Sequence, residues 1–264
     1  MVGAVVKIEN GEGRGMENNG FLKNSQIIIL GICIAVATIA SSVILSQGFL
    51  KIMKFTREQI SVTGSAQKEI RSDYVVWTGS FSRRDIDQKA AYAKLQEDLQ
   101  GVMAYMTSKG IDDKEITVSQ VDITRLYKPN EKGYDTNELE GYRLSRTVGI
   151  KSKDVDKITQ VSRDVTELID KGIEFESGAP EYFYTKLDEL KIEMLAVATE
   201  NAKQRAEKMA AATGNKIGFM RSARMGVFQI TPANSTEVSD WGVNDTSSLD
   251  KKVTAVVNVS FAIE

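Results

Sequence analysis

Residues 195–214 read LAVATENAKQRAEKMAAATG. Ala198, Ala202, Ala206 and Ala210 recur every fourth position, so a helix carries them as one narrow stripe of methyl groups flanked by Lys203, Gln204, Arg205, Glu207 and Lys208. Such a stripe suits a coiled-coil seam, a basic arm on nucleic acid, or a helix lying very close to a sheet. Lys plus Arg number 34 against 36 Asp plus Glu, so the chain lacks the electrostatic excess that holds a phosphate backbone. A coiled coil needs large residues at sustained a and d positions, and the middle of this stretch has none. Close intramolecular packing is the expectation, with Leu190, Met194, Val197 and Met209 adding bulk at the ends; a subunit interface is the alternative.

The surroundings supply sheets for such a helix. Downstream, KIGFMRSARMGVF (216–228) and KKVTAVVNVSFAIE (251–264) have strand character, and in the second Val253, Ala255, Val257, Val259, Phe261 and Ile263 alternate without a break. The Ser-, Thr-, Asn- and Asp-rich stretch between them, 229–250, is expected to be a long, mobile loop. Upstream, Thr185 and Asp188 at capping-box spacing place the start of the long helix, and Thr185 to Thr213 would span about 43 Å.

Working further back, GIEFESG (172–178) reads as a strand. Residues 154–172 read as a helix with Val155, Ile158, Val161, Val165 and Leu168 inward and Gly172 at its end. YRLSRTVGIKSK (142–153) and EITVSQVDITRLY (115–127) read as strands separated by a polar loop, 128–141. An earlier helix follows Ser82 and Asp85, also at capping-box spacing, with Tyr92, Leu95, Leu99, Val102 and Met106 on one face and Gly110 as its stop. QISVTGSAQKEI (59–70) and SDYVVWTGSFSR (72–83) read as consecutive strands of a hairpin or meander. Strands grouped rather than strictly alternating with helices define an α+β architecture: antiparallel or mixed sheets with helices packed on one face, in two subdomains at about 59–130 and 139–264.

Between Lys23 and Lys51 no residue is charged, and QIIILGICIAVATIASSVIL (26–45) supplies enough apolar length to cross a hydrocarbon core of about 30 Å as a helix. Residues 25–50 are therefore expected to be a single transmembrane anchor, preceded by a disordered tail over 1–24. Thr38-Ile39-Ala40 offers a signal-peptidase-like spacing, but the apolar run continues through Val43, Ile44 and Leu45, longer than a usual signal core. Lys7, Arg14 and Lys23 before the span nearly balance Lys51, Lys54 and Arg57 after it, so charge alone does not orient it.

From about Gln59 to Glu264 the chain resembles the SIMPL-domain family of bacterial proteins. The resemblance is carried by ISVTGSAQKEIRSDYVVWTGSFSRRDIDQKAAYAKL, by SKGIDDKEITVSQVDITRLY, by KKVTAVVNVSFAIE and most specifically by AVATENAKQRAEKMAAATGNKIG. In that last stretch the alanine seam of Ala198, Ala202, Ala206 and Ala210 runs into Gly214 and Gly218, expected to cap the helix and open the next strand. The resemblance implies an α+β fold and an extracytoplasmic location, with the N-terminus inside and the folded body in the periplasm of a cell whose inner membrane holds the anchor. It also implies a link to envelope or oxidative-stress tolerance.

The family pattern contains no catalytic motif, and the composition narrows the chemistry. The chain has no histidine, which removes the usual general base at neutral pH and every imidazole-based triad. Its single cysteine, Cys33, lies in the apolar span and permits neither a disulfide framework nor a cysteine zinc site. Asp112, Asp113 and Glu115, and Asp240, Asn244, Asp245 and Asp250, lack calcium-loop spacing and read as solvated or capping groups. Arg71, Arg83 and Arg84 near Tyr74 and Trp77 offer an anion or stacking site, although alternation sends some of these aromatics into the core. No catalytic residue, metal or cofactor is expected. The expectation is a non-enzymatic, membrane-anchored module that assembles with itself or with envelope proteins and binds no nucleic acid. The alternative is a ligand-binding protein or cryptic enzyme using the cleft beside the long loops, with Arg83, Arg84 and Asp240 as its test positions.

Overall fold

The computed structural model describes residues 18–264. Its first unit is the helix α1 (Asn18–Arg57), which contains the apolar window Ile27–Leu50 with no part of that window buried within the chain. At 24 residues the window is long enough to cross a membrane, as an anchor or as a signal sequence. Most of the expected tail, 1–17, lies outside the described residues, and the chain is already helical from Asn18.

The second unit, Ile60–Glu264, is a mixed α+β body with two sheets. One sheet has the order β1 (Gln59–Arg71), β11 (Asp250–Ile263), β9 (Gln229–Pro232), β10 (Val243–Asn244), with β8 (Ile217–Met225) also paired to β11. The other runs β3 (Ile116–Val118), β5 (Asp135–Ser152), β2 (Tyr74–Asp85), β6 (Phe175–Ser177), with β4 (Asp122–Pro129) beside β5 and β7 (Glu181–Phe183) beside β2. The helix α5 (Leu187–Ala211) packs on the first sheet, and α2 (Gln88–Ser108) and α3 (Val155–Asp164) pack on the second.

Each sheet has its own core. Ala198, Ala202 and Ala206 of α5 join Val62, Val253, Ala255, Val257 and Val259 in the first. Trp77, Phe81, Leu95, Met106, Leu144, Ile150, Ile158 and Leu168 lie in the second. The inward sets expected for the last strand and for the 154–172 helix fill these cores except at Ile263, where a register shift after Phe261 buries Ala262 instead, and that helix breaks at Val165 and continues as the single turn α4 (Glu167–Asp170).

Several sequence expectations fail, each for a local reason. β1 and β2 are not a hairpin: the chain leaves one sheet at Arg71 and enters the other at Tyr74, so β1 pairs with the last strand of the chain. Alternation identifies a strand but not its neighbour, and for that reason the division at 130–139 does not follow either sheet. Residues 128–141 are not a loop but the tip of the β4–β5 hairpin, whose turn is closed by the Asn130 side chain accepting from the amides of Lys132 and Tyr134, both at 3.0 Å, with Gly133 at φ 81°.

Both expected capping boxes are replaced. β2 extends through Ser82, opposite Ser145, and Asp87 caps α2 by accepting from the amides of Lys89 and Ala90. The Thr185 amide and hydroxyl both donate to Asp73, at 2.7 Å each, so Thr185 ties the approach to α5 instead of capping it.

Candidate functional site

The first sheet has a helix-covered face and an open one. On β11 alternation turns Val253, Ala255 and Val257 toward α5, and Lys252, Thr254 and Val256 to the open side. On β9 the same parity holds: Ile230 joins the core, while Gln229 and Thr231 share the open face, directly opposite Thr254 and Lys252. The segment 233–242 folds over this face and encloses a cavity of about 660 Å³ lined by both strands, by the loop itself and by Met225 and Val227.

Sequence reading left 229–250 as an unstructured loop because its composition is that of turns. The structure ties it down. The Gln229 side chain donates to the Ser239 carbonyl at 2.6 Å and accepts from the Ser239 amide at 3.3 Å. The Lys252 ammonium donates to the Ser235 carbonyl at 2.8 Å. β10 adds parallel pairs Val243 to Gln229 and Asn244 to Ile230.

Behind the loop, buried Lys251 donates to the carbonyls of Tyr182, at 2.7 Å, and Asp245, so it joins the first sheet to β7 of the second. Burial pushes its pKa down and the Asp245 charge opposes that shift. Sequence reading missed this lysine. Its signal was its phase, two residues before Val253 on the inward face.

The cavity lining is mixed, with Met225 and Val238 beside the carboxylates of Glu237 and Asp240, and Trp241 lines the neighbouring hollow with Met225 and Val227. Trp241 is 93% exposed, Val238 78% and Met225 61%. Met225 ends β8, a nine-residue strand that among the described residues pairs with β11 alone. The same strand also carries exposed Met220.

The residues singled out in the sequence do not converge. Asp240 lines the cavity. Arg83 belongs to the other sheet, where it forms a two-pronged ion pair with Asp98 and donates to the Gly172 carbonyl at 2.7 Å. Asp98 raises its pKa through that hydrogen bond. Arg84 follows on β2, opposite Arg143. Arg71 pairs with Asp156, and Trp77 is buried with its indole N–H donating to the Ser177 hydroxyl and the Gly178 carbonyl. No described cavity is lined by both arginines and Asp240.

The acidic residues are local fasteners. Asp112 caps a short 3-10 turn over 113–115, and Asp245 accepts from the amide and hydroxyl of Ser247. Among the described residues no group of three or more His, Cys, Asp or Glu is placed to hold a metal ion. Ala198, Ala202, Ala206 and Ala210 are all buried; the helix ends at Ala211 with Ala212 rather than Gly214 as its cap, Gly214 follows in the turn at φ 77°, and Gly218 lies in β8 against the Glu264 side chain.

A two-sheet α+β body behind a single apolar helix, with packing residues rather than reactive groups as its signature, defines a class of fold rather than a chemistry. The family model SIMPL, described as a protein of unknown function (DUF541), matches residues 60–261, and the chain belongs to that family. The chain is similar to the Uncharacterized protein YggE of Edwardsiella ictaluri (strain 93-146), 22% identical over 218 residues that cover 76% of this chain and 87% of that protein.

Proposed function

We propose that the protein is a non-enzymatic module, held by its N-terminal helix on the extracytoplasmic side of the inner membrane, that works by assembling with itself or with envelope proteins. The observation that carries this reading is a set of exposed apolar side chains, Met220 and Met225 of β8 with Val238 and Trp241, of which Met225 shares a hollow with each of the last two. Apolar side chains left this exposed on a folded body mark a surface that another protein covers. The apolar span Ile27–Leu50 supports the anchor, and confinement to a membrane raises the local concentration that assembly needs. A contribution to envelope or oxidative-stress tolerance follows from the family resemblance. Light scattering coupled to size exclusion, on the full-length chain in mild detergent, is expected to return a mass several times that of one chain; a strict monomer across the concentration range overturns the proposal.

A further inference from the structure

We infer that the cavity beneath the 233–242 segment binds a single-chain amphiphile with a carboxylate head. The head meets Lys252 and Thr231, and the apolar body lies on Met225, Val227, Val238 and Val256. The inference goes beyond the assembly reading and does not depend on it.

Three observations converge. Thr231 is only 2% exposed as a residue, yet it lines the cavity and its hydroxyl makes no hydrogen bond among the described residues, which leaves it free to meet a molecule there. Lys252 is its direct cross-strand neighbour on the same face, and its partly buried ammonium donates to one carbonyl, which leaves N–H groups to spare. Among the described residues Lys252 forms no ion pair, although Glu237 and Asp240, both exposed on the loop, also line the cavity. A partly desolvated cation beside an unpartnered hydroxyl is a paired donor set for an anion.

The other end of the cavity changes character. Val256 follows Lys252 and Thr254 on the open face of β11, and Met225, Val227 and Val238 close around it. A volume of about 660 Å³ falls within the range of small-molecule sites. A polar end and an apolar end in one trough select an amphiphile rather than a sugar or a free small anion.

Trp241 provides the readout, because it is exposed and lines the neighbouring hollow that shares Met225 and Val227 with this cavity, while Trp77, the second tryptophan of the chain, is buried in the other sheet. The full chain in lipid nanodiscs is titrated with 11-bromoundecanoate, whose bromine quenches indole fluorescence on contact. Saturable quenching, displaced by undecanoate and absent in Trp241→Phe, is expected. Thr231→Val and Lys252→Gln are each expected to weaken binding roughly tenfold, the usual loss for one charge-assisted hydrogen bond. On the unmodified chain, 11-bromoundecylammonium carries the same tail and the opposite charge, and acetate carries the head without the tail. Non-saturable quenching, quenching that persists in Trp241→Phe, ammonium binding as tight as carboxylate binding, or displacement by acetate alone overturns the assignment.

Discussion

Gly64 of β1 lies against the backbone of α5 at Ala202: a Cβ on Gly64 would stand 2.6 Å from the Ala202 amide nitrogen and 2.7 Å from its Cβ. Strand and helix therefore meet where neither side has room for one more carbon. Ala202 is fully buried, and the Arg205 guanidinium, one turn on, donates to the Thr63 carbonyl at 2.9 Å across the same seam. Gly64→Ala and Ala202→Leu are each expected to cost about 1–3 kcal/mol, the usual range for overpacking. For a body of this size that is a fall of several degrees in melting temperature. Circular dichroism melts of the two variants check it, and an unchanged midpoint for both contradicts the close approach.

The Arg83–Asp98 pair predicts an asymmetry. The Asp98 side chain is 6% exposed and that of Arg83 27%. Arg83→Ala strands a buried carboxylate and releases the Gly172 carbonyl, which should cost about 2–4 kcal/mol. Asp98→Ala leaves a guanidinium that can turn toward water and keep its bond to Gly172, so about half that loss is expected. Urea titration of both variants gives the order, and an equal or inverted order removes the argument.

Much of this was legible in the sequence, for reasons that particular residues make plain. The alanine seam and the alternating Val253–Val259 run were readable because one side-chain type repeats at one structural period. The partner of β1 was not, because Ser61 and Thr63 meet Ser260 and Asn258 across nearly the whole chain, and no local period encodes that pairing. The candidate site was hidden for a different reason. Gln229, Thr231 and Lys252 are ordinary polar residues until the register of β9 on β11 sets them on one face, and the loop that covers them has the composition of a flexible segment.

Acid should unfold the body in a defined window. The Lys94 ammonium holds the Asp85 carboxyl below its usual 3.8, and the Lys157 side chain and amide do the same for Asp154. Burial pushes Asp245 up, but the Ser247 and Ser248 hydroxyls, the Ser247 amide and Lys251 outweigh it and leave it lowered. A folded pKa below the unfolded one gives stability that is full above 3.8 and is lost as pH falls through the lower folded values. Stability measured from pH 5 downward should therefore fall more steeply in the parent than in Asp154→Asn or Asp245→Asn. A parallel fall in all three removes these groups from the account.

Topology is open to direct measurement because three basic residues on each side of the span leave the charge rule undecided. Alkaline phosphatase fused after Glu264 is expected to be active and a fluorescent protein that folds only in the cytoplasm to be dark. The reverse result would place the body inside the cell and remove the extracytoplasmic reading.

The exposed methionines of β8 separate assembly from folding. Met220 pairs with Phe261 and Met225 with Val257 of β11, yet both methionine side chains are exposed. Lysine at these positions puts charge on the exposed apolar surface, which disfavours association through it, and removes no buried side chain. Met220→Lys with Met225→Lys is therefore expected to lower the detergent-solubilised mass toward one chain while leaving the melting temperature of the body within about two degrees, as for exposed substitutions generally. A variant that keeps its full assembly mass moves the interface away from β8. One that loses both mass and melting temperature shows that the methionines serve the fold and not the contact.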